Sequence, residues 1–296
     1  MNEDKKIVVI GGSNRDYFAK SSSQLIYKDS NVGHISSSNG GVGRNIALNL
    51  AYLNNDVDFI TALGDDEGGR NIKSELIQHN VNVITPSSIY QTSSYLAILN
   101  SKGDMEVAIC DTQILDNLCF CQLDPLLGTL NDHKHVIIDT NLNQGLIDDL
   151  FLKYKDHYFY VEGVSCTKIQ RIKNHLKDIY LLKCNYLEAT SLLNEHLPIE
   201  ESIKKLLSLG VKKVVVSNSS NNIYFGEDNK VDCISIEKKD DVVSTSGAGD
   251  ALFAGIIHSL NNNKSLKESV IFGNKVALLT LEVEGNINPS IAKLIK

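Results

Sequence analysis

Ser244-Thr245-Ser246-Gly247-Ala248-Gly249-Asp250-Ala251-Leu252-Phe253-Ala254-Gly255 is a turn of small residues that opens directly into an apolar helix. Backbone N–H groups at Gly247, Ala248 and Gly249 would stand unpaired at the helix N-terminus, which is an anion site. Glycines there let a phosphate approach the backbone closely. Asp250 lies at the positive end of the helix, which favours its ionised form and readies it to accept a proton. A base beside an anion hole is what transfer of a phosphoryl group to an alcohol requires. Taken alone, the spacing also fits an aspartate capping an ordinary helix after a glycine turn.

Outward from this turn, short β-branched runs alternate with amphipathic stretches. Strand patterns at 6–10, 57–61, 135–139, 157–161, 178–182 and 212–216 interleave with helix patterns near 42–53, 67–79, 145–154, 186–194, 200–209, 249–260 and 266–281. Continuous apolar strands in that order predict a mostly parallel central sheet covered by helices on both faces, a three-layer α/β/α fold. Binding sites in such sheets sit at the carboxyl ends of the strands. Two stretches break the alternation: 17–39, rich in Ser, Asn and Tyr, and 94–110, which reads as a hairpin turning at Lys102-Gly103-Asp104. Both are read as a small β lid on one domain spanning 1–296.

Composition removes other classes. The 296 residues are 42% hydrophobic and 22% charged, neither a disordered chain nor a coiled coil. No apolar run approaches the roughly 18 residues of a membrane span, and the charged N-terminus leads into a run too short for a signal peptide, so a cytoplasmic protein is expected. With 29 Lys and Arg against 36 Asp and Glu, the formal charge of −7 disfavours a nucleic-acid partner. Anionic ligands must be held locally. The six scattered cysteines predict free, mostly buried thiols in a reducing compartment.

Three further motifs carry polar chemistry. Ser38-Asn39-Gly40-Gly41-Val42-Gly43-Arg44-Asn45-Ile46-Ala47 is a second glycine-rich turn running into a helix, with Asn45 in its first turn, able to hydrogen-bond a neutral polyol. No long buried strand precedes it, which argues against a dinucleotide loop. Gly11-Gly12-Ser13-Asn14-Arg15-Asp16 places Asn14 and Asp16 just past the first strand, where such a cluster is usually a turn. Asn185-Tyr186-Leu187-Glu188 puts two polar groups on one face of a helix start.

Together, in this order, the motifs resemble the ribokinase-like (PfkB-type) carbohydrate kinase family across essentially the whole chain. Within it, Asp29-Ser30-Asn31-Val32-Gly33, Gly40–Ala47 and Thr92-Ser93-Ser94-Tyr95-Leu96 look like the corresponding segments of pseudouridine kinases. The resemblance implies ATP-dependent phosphorylation of a 5′-hydroxyl. Asp250 would be the base, and the 247–249 amides would stabilise the transferring group. Asn14, Asp16, Gly40, Gly41 and Asn45 would line the ribose pocket. Thr92 and Ser93 would come from the lid near the nucleobase, and Asn141 would reach the substrate or phosphate. Asn185, Ser217, Ser219 and Asn274 would serve the nucleotide, and Glu188 would act on Mg²⁺ through water. The implied partners are pseudouridine and Mg²⁺–ATP, with a homodimer formed through the lid.

Two departures from the family pattern stand out. Ser244 occupies the position where the family commonly has an Asp serving a monovalent-cation loop, which leaves that cation open. Ser219 and Asn222 occupy the glycine positions of a Gly-x-x-Gly near the nucleotide. The alternatives are a ribokinase or other nucleoside kinase on the same scaffold, and a nucleoside-binding regulator without catalysis.

Overall fold

A computed structural model describes residues 6–126, 134–218, 221–236 and 241–295. The first half runs β1 (Ile7–Ile10), β2 (Asn14–Ser21), β3 (Gly33–Gly40), α1 (Val42–Tyr52), β4 (Val57–Ile60), α2 (Glu67–Gln78), β5 (Val81–Ile84), β6 (Ser94–Leu99) and β7 (Met105–Asp111). Two short helices, α3 (Gln113–Asp116) and α4 (Phe120–Leu123), lead to β8 (His135–Asp139), α5 (Gln144–Lys153) and β9 (Tyr158–Glu162). A 3-10 helix (Lys168–Asp178) precedes β10 (Ile179–Asn185), α6 (Tyr186–Leu193), α7 (Ile199–Ser208), β11 (Lys213–Asn218), β12 (Asn222–Glu227) and β13 (Lys230–Ser235). The chain closes with α8 (Ala248–Asn261), α9 (Leu266–Thr280) and a 3-10 turn (Pro289–Ile295).

Among the described residues the main sheet has nine strands in the order β13-β12-β11-β10-β9-β8-β1-β4-β5. The pairs from β11 through β5 are parallel, and β12 and β13 extend the sheet antiparallel beyond β11. Strand periodicity sends successive side chains to opposite faces. Val8 and Ile10 therefore join one core with Leu146 and Ile147 of α5, while Ile7 and Val9 join the other with Ile46 of α1 and Phe253 of α8. Every strand and helix expected from the pattern is present, with shifted ends.

The smaller sheet has the order β3-β2-β6-β7. The 94–110 stretch is the expected hairpin, β6 pairing antiparallel with β7. Asn14 and Asp16, however, open strand β2 instead of forming a turn, because the chain leaves β1 only to pair at once with β3 and β6.

The cysteine expectation is corrected. Cys119 and Cys121 form a disulfide at the start of α4, where the local turn brings their Cα atoms to 5.3 Å, within bonding range. Cys110, Cys166 and Cys233 are exposed, and Cys184 is the buried free thiol among the described residues. Two of the exposed three lie on edge strands, β7 and β13.

Candidate active site

Two helix starts meet at the carboxyl end of the main sheet. Gly41 caps α1 with φ 104°, and a Cβ there would lie 2.5 Å from the Gly12 carbonyl oxygen. Gly247 caps α8 with φ 76°, and a Cβ there would run into the Asn286 backbone. Both turns need left-handed backbone and contact too close for a side chain. No side chain caps α8, and among the described residues nothing accepts from the amides of Gly247, Ala248, Gly249 or Asp250. These unpaired amides stand where the sequence reading placed a candidate anion site.

A cavity of about 280 Å³ opens beside this turn. Its lining includes Asn14, Asp16, Gly41, Asn45, Ser93, Asn141, Gly247 and Asp250, so most acceptor-side residues named from the sequence come together. Gly40 and Thr92 do not line it. Gly40 is packed against the Asp16 carboxylate. The Thr92 hydroxyl donates to Asp66 Oδ1 at 2.8 Å and accepts from the Gly64 amide at 3.0 Å, which binds it to the turn before α2. Ser93 differs: its Oγ is buried with no hydrogen-bond partner among the described residues.

Asp250 is half-buried on the cavity wall and accepts from Asn45 Nδ2 at 2.8 Å. Burial pushes its carboxyl up to about 6, with Asp139 adding to the rise. Asn45, Lys183 and Arg44 oppose it. Asp139 is fully buried at the end of β8, and burial raises its carboxyl although the amides of Gly12 and Asn141 donate to it at 2.9 and 2.8 Å. Burial also raises Asp16, against the Asn14 amide that donates to it.

Sequence reasoning missed Lys183 and Lys168. The Lys183 ammonium lies 2.9 Å from where a Cβ on Gly249 would sit, beside the first turn of α8, and pairs with Glu162 at 2.8 Å. Burial works against its charge, but its carboxylate neighbours, Glu162 foremost, raise its pKa overall. The available signal was a lysine inside the otherwise apolar strand Ile179-Tyr180-Leu181-Leu182-Lys183-Cys184, a position where lysine is rare unless paired. Lys168 lines the cavity and donates to Asn141 Oδ1 at 2.6 Å. Nothing in its local sequence marked it.

The residues that the sequence reading gave to the nucleotide do not line this cavity. Asn185 and Ser217 are register neighbours at the ends of β10 and β11, and Asn274 is half-buried on α9. Asn185 and Glu188 form a capping box in which both Glu188 oxygens accept from Asn185, at 2.9 and 2.7 Å. Ser219 lies outside the described residues. No group of three or more His, Cys, Asp or Glu side chains suited to a metal occurs among the described residues. No helix among them is long and apolar enough to cross a membrane.

Known proteins resemble this chain over nearly its whole length. The chain is 32% identical over 305 residues to the pseudouridine kinase of Escherichia coli strain K12, covering 100% of this chain and 97% of that protein. It is 28% identical over 284 residues to the guanosine-inosine kinase of Exiguobacterium acetylicum, covering 92% and 93%. The structure of Arabidopsis thaliana ribokinase complexed with ribose and ATP superposes with a TM-score of 0.85 at 20% identity, covering 99% of this chain and 98% of that one. The pfkB family carbohydrate kinase model matches residues 4–293, and the chain belongs to that family, as a sugar or nucleoside kinase that transfers phosphate to an alcohol.

Proposed function

We propose that this kinase transfers the γ-phosphoryl group of ATP to the 5′-hydroxyl of pseudouridine. The observation that carries the reading is Asp250, a carboxylate facing the acceptor cavity one residue beyond the unpaired amides of the α8 turn. Asp250 takes the hydroxyl proton as the alcohol oxygen attacks, and the amides of the turn, with Lys183 behind them, hold the transferring group. Asn14, Asp16 and Asn45 orient the ribose. The small sheet acts as the lid, presenting Ser93 and Tyr95 to the nucleobase. The choice of pseudouridine rests on the E. coli relative and on the segments at 29–33, 40–47 and 92–96.

Magnesium fits the nucleotide side. It typically uses one or two carboxylates, keeps several waters and takes the rest of its ligands from phosphate. Glu188 is committed to its cap and would act through water, and the neighbouring Glu162 has a buried Oε2 without a partner among the described residues. Bound there, the ion would neutralise phosphate charge.

An ATP-coupled screen of pseudouridine, uridine, inosine, guanosine, adenosine, ribose and fructose at equal concentrations tests the proposal. Pseudouridine should show the highest kcat/KM. A purine nucleoside in first place, as the Exiguobacterium relative would suggest, or free ribose, would replace it.

A further inference from the structure

A chain of polar contacts leads from the exposed edge of α2 to the base. Glu75 Oε1 accepts from Arg44 at 2.5 Å, another Arg44 nitrogen donates to Asn45 Oδ1 at 2.9 Å, and Asn45 Nδ2 donates to Asp250. Arg44 and Asn45 are each 4% exposed, so water does not substitute for these partners. Glu75 Oε2 accepts from Asn39 of β3 at 2.7 Å, and Asn39 in turn accepts from Arg15 of β2 at 2.6 Å. One carboxylate thus ties α2, the start of α1 and the smaller sheet together.

We propose that Arg44, clamped by Glu75, is a positioning residue that turns the Asn45 amide so that its N–H, and not its carbonyl oxygen, faces Asp250. A primary amide has a donating side and an accepting side. A guanidinium only donates, so Oδ1 is the Asn45 atom it holds, and the NH₂ group is left toward the carboxylate. With Arg44 gone the amide is free to flip. Its oxygen would then face the carboxylate oxygens, and Asp250 would hold its proton to higher pH, a poorer state for a base. The other charged groups facing Asp250 are Lys183 on β10, Asp139 on β8 and Glu162 on β9, and none of them contacts the Asn45 amide.

This inference takes Asp250 as the base of the proposed reaction, but its test reads the carboxyl group directly and needs no acceptor alcohol. Protein labelled with ¹³C at aspartate carboxyl carbons is titrated by NMR without ligand, and the Asp250 signal is assigned by its loss in Asp250→Asn. Arg44→Lys keeps the charge but cannot span both Glu75 and Asn45. Its Asp250 midpoint should rise by about half a pH unit or more, and that of Arg44→Met by about one unit or more. A wild-type midpoint in Arg44→Lys would mean that Arg44 acts by charge alone and overturns positioning. Should the Arg44 variants fail to fold, Asn45→Ala decides: its Asp250 midpoint should rise, and an unchanged or lowered midpoint would mean that the amide does not donate to Asp250 and overturns the inference. A protein that titrates as expected yet phosphorylates no alcohol would instead defeat the kinase reading alone.

Discussion

As the proposed base, Asp250 has two requirements that conflict, burial that raises its proton affinity and solvation that would stabilise its charge. Its carboxyl titrates near 6 when folded, against about 3.9 for a free aspartate. A folded pKa raised in this way contributes stability that is fully present below about pH 4 and is lost as pH rises through about 6. Asp250→Asn should therefore melt a few degrees above the unliganded wild type at pH 8, a gain of about 1–3 kcal/mol that vanishes near pH 4. Turnover should fall by about 10²–10⁴-fold, and the wild-type rate should drop as pH falls through about 6. Turnover within threefold of wild type would remove Asp250 from the role of base. At Ser93 a second expectation arises. Pseudouridine is C-linked and keeps an N1–H that uridine lacks, and the buried Ser93 Oγ is a free acceptor on the cavity wall. An unmade buried hydrogen bond costs about 1–3 kcal/mol, so Ser93→Ala should narrow the pseudouridine-over-uridine preference in kcat/KM by about tenfold. Asp16→Asn should lower both substrates together, and an unchanged ratio in Ser93→Ala would move nucleobase recognition elsewhere.

On the scale of an element, the first turn of α8 brings the amides proposed to hold phosphate next to the Lys183 ammonium. A side chain at 249 would meet Lys183 Nζ, which its pairing with Glu162 prevents from moving freely. Gly249→Val should accordingly lower kcat by about 10²-fold or more while acceptor affinity, read by calorimetry without ATP, stays within about threefold. Equal loss of affinity and rate would leave Gly249 a packing glycine. How far this site could be read in the sequence follows from the physics of each element. The GAGD turn and the strand–helix alternation were legible because glycine spacing and continuous apolar runs are local signals. β5 and β13 were not, being edge strands with mostly half-exposed or exposed residues, nor was β12, whose apolar run is only Ile223-Tyr224-Phe225. The roles of Thr92 and Lys168 were hidden for another reason. Each depends on a partner distant in sequence, Asp66 for one and Asn141 for the other, and only the fold brings them together.

For the molecule as a whole, the two faces of the smaller sheet decide what it does beyond one chain. Asp16, Tyr95 and Cys110 are register partners across β2, β6 and β7, and all three line the cavity. Alternation puts the next row, Tyr17, Leu96 and Ile109, on the opposite face, with Ile35, Ala19, Ile98 and Val107 two residues along it. Ile35 and Ile109 are 70% and 66% exposed, and neither row carries a charge. A contiguous apolar sheet face of this kind is usually covered by a partner. A second copy of the chain is self-complementary across a two-fold axis, and the absence of charge means that no like-charge repulsion opposes the contact. We expect a dimer by light scattering at micromolar concentration, and a monomer for the double variant Val107→Lys, Ile109→Lys. The cavity rows of the same sheet would lose their backing on dissociation, so the variant should raise KM for the acceptor more than KM for ATP. A wild-type chain that stays monomeric at every concentration would leave this face without its partner, and a variant that is monomeric with both KM values unchanged would uncouple the interface from the cavity.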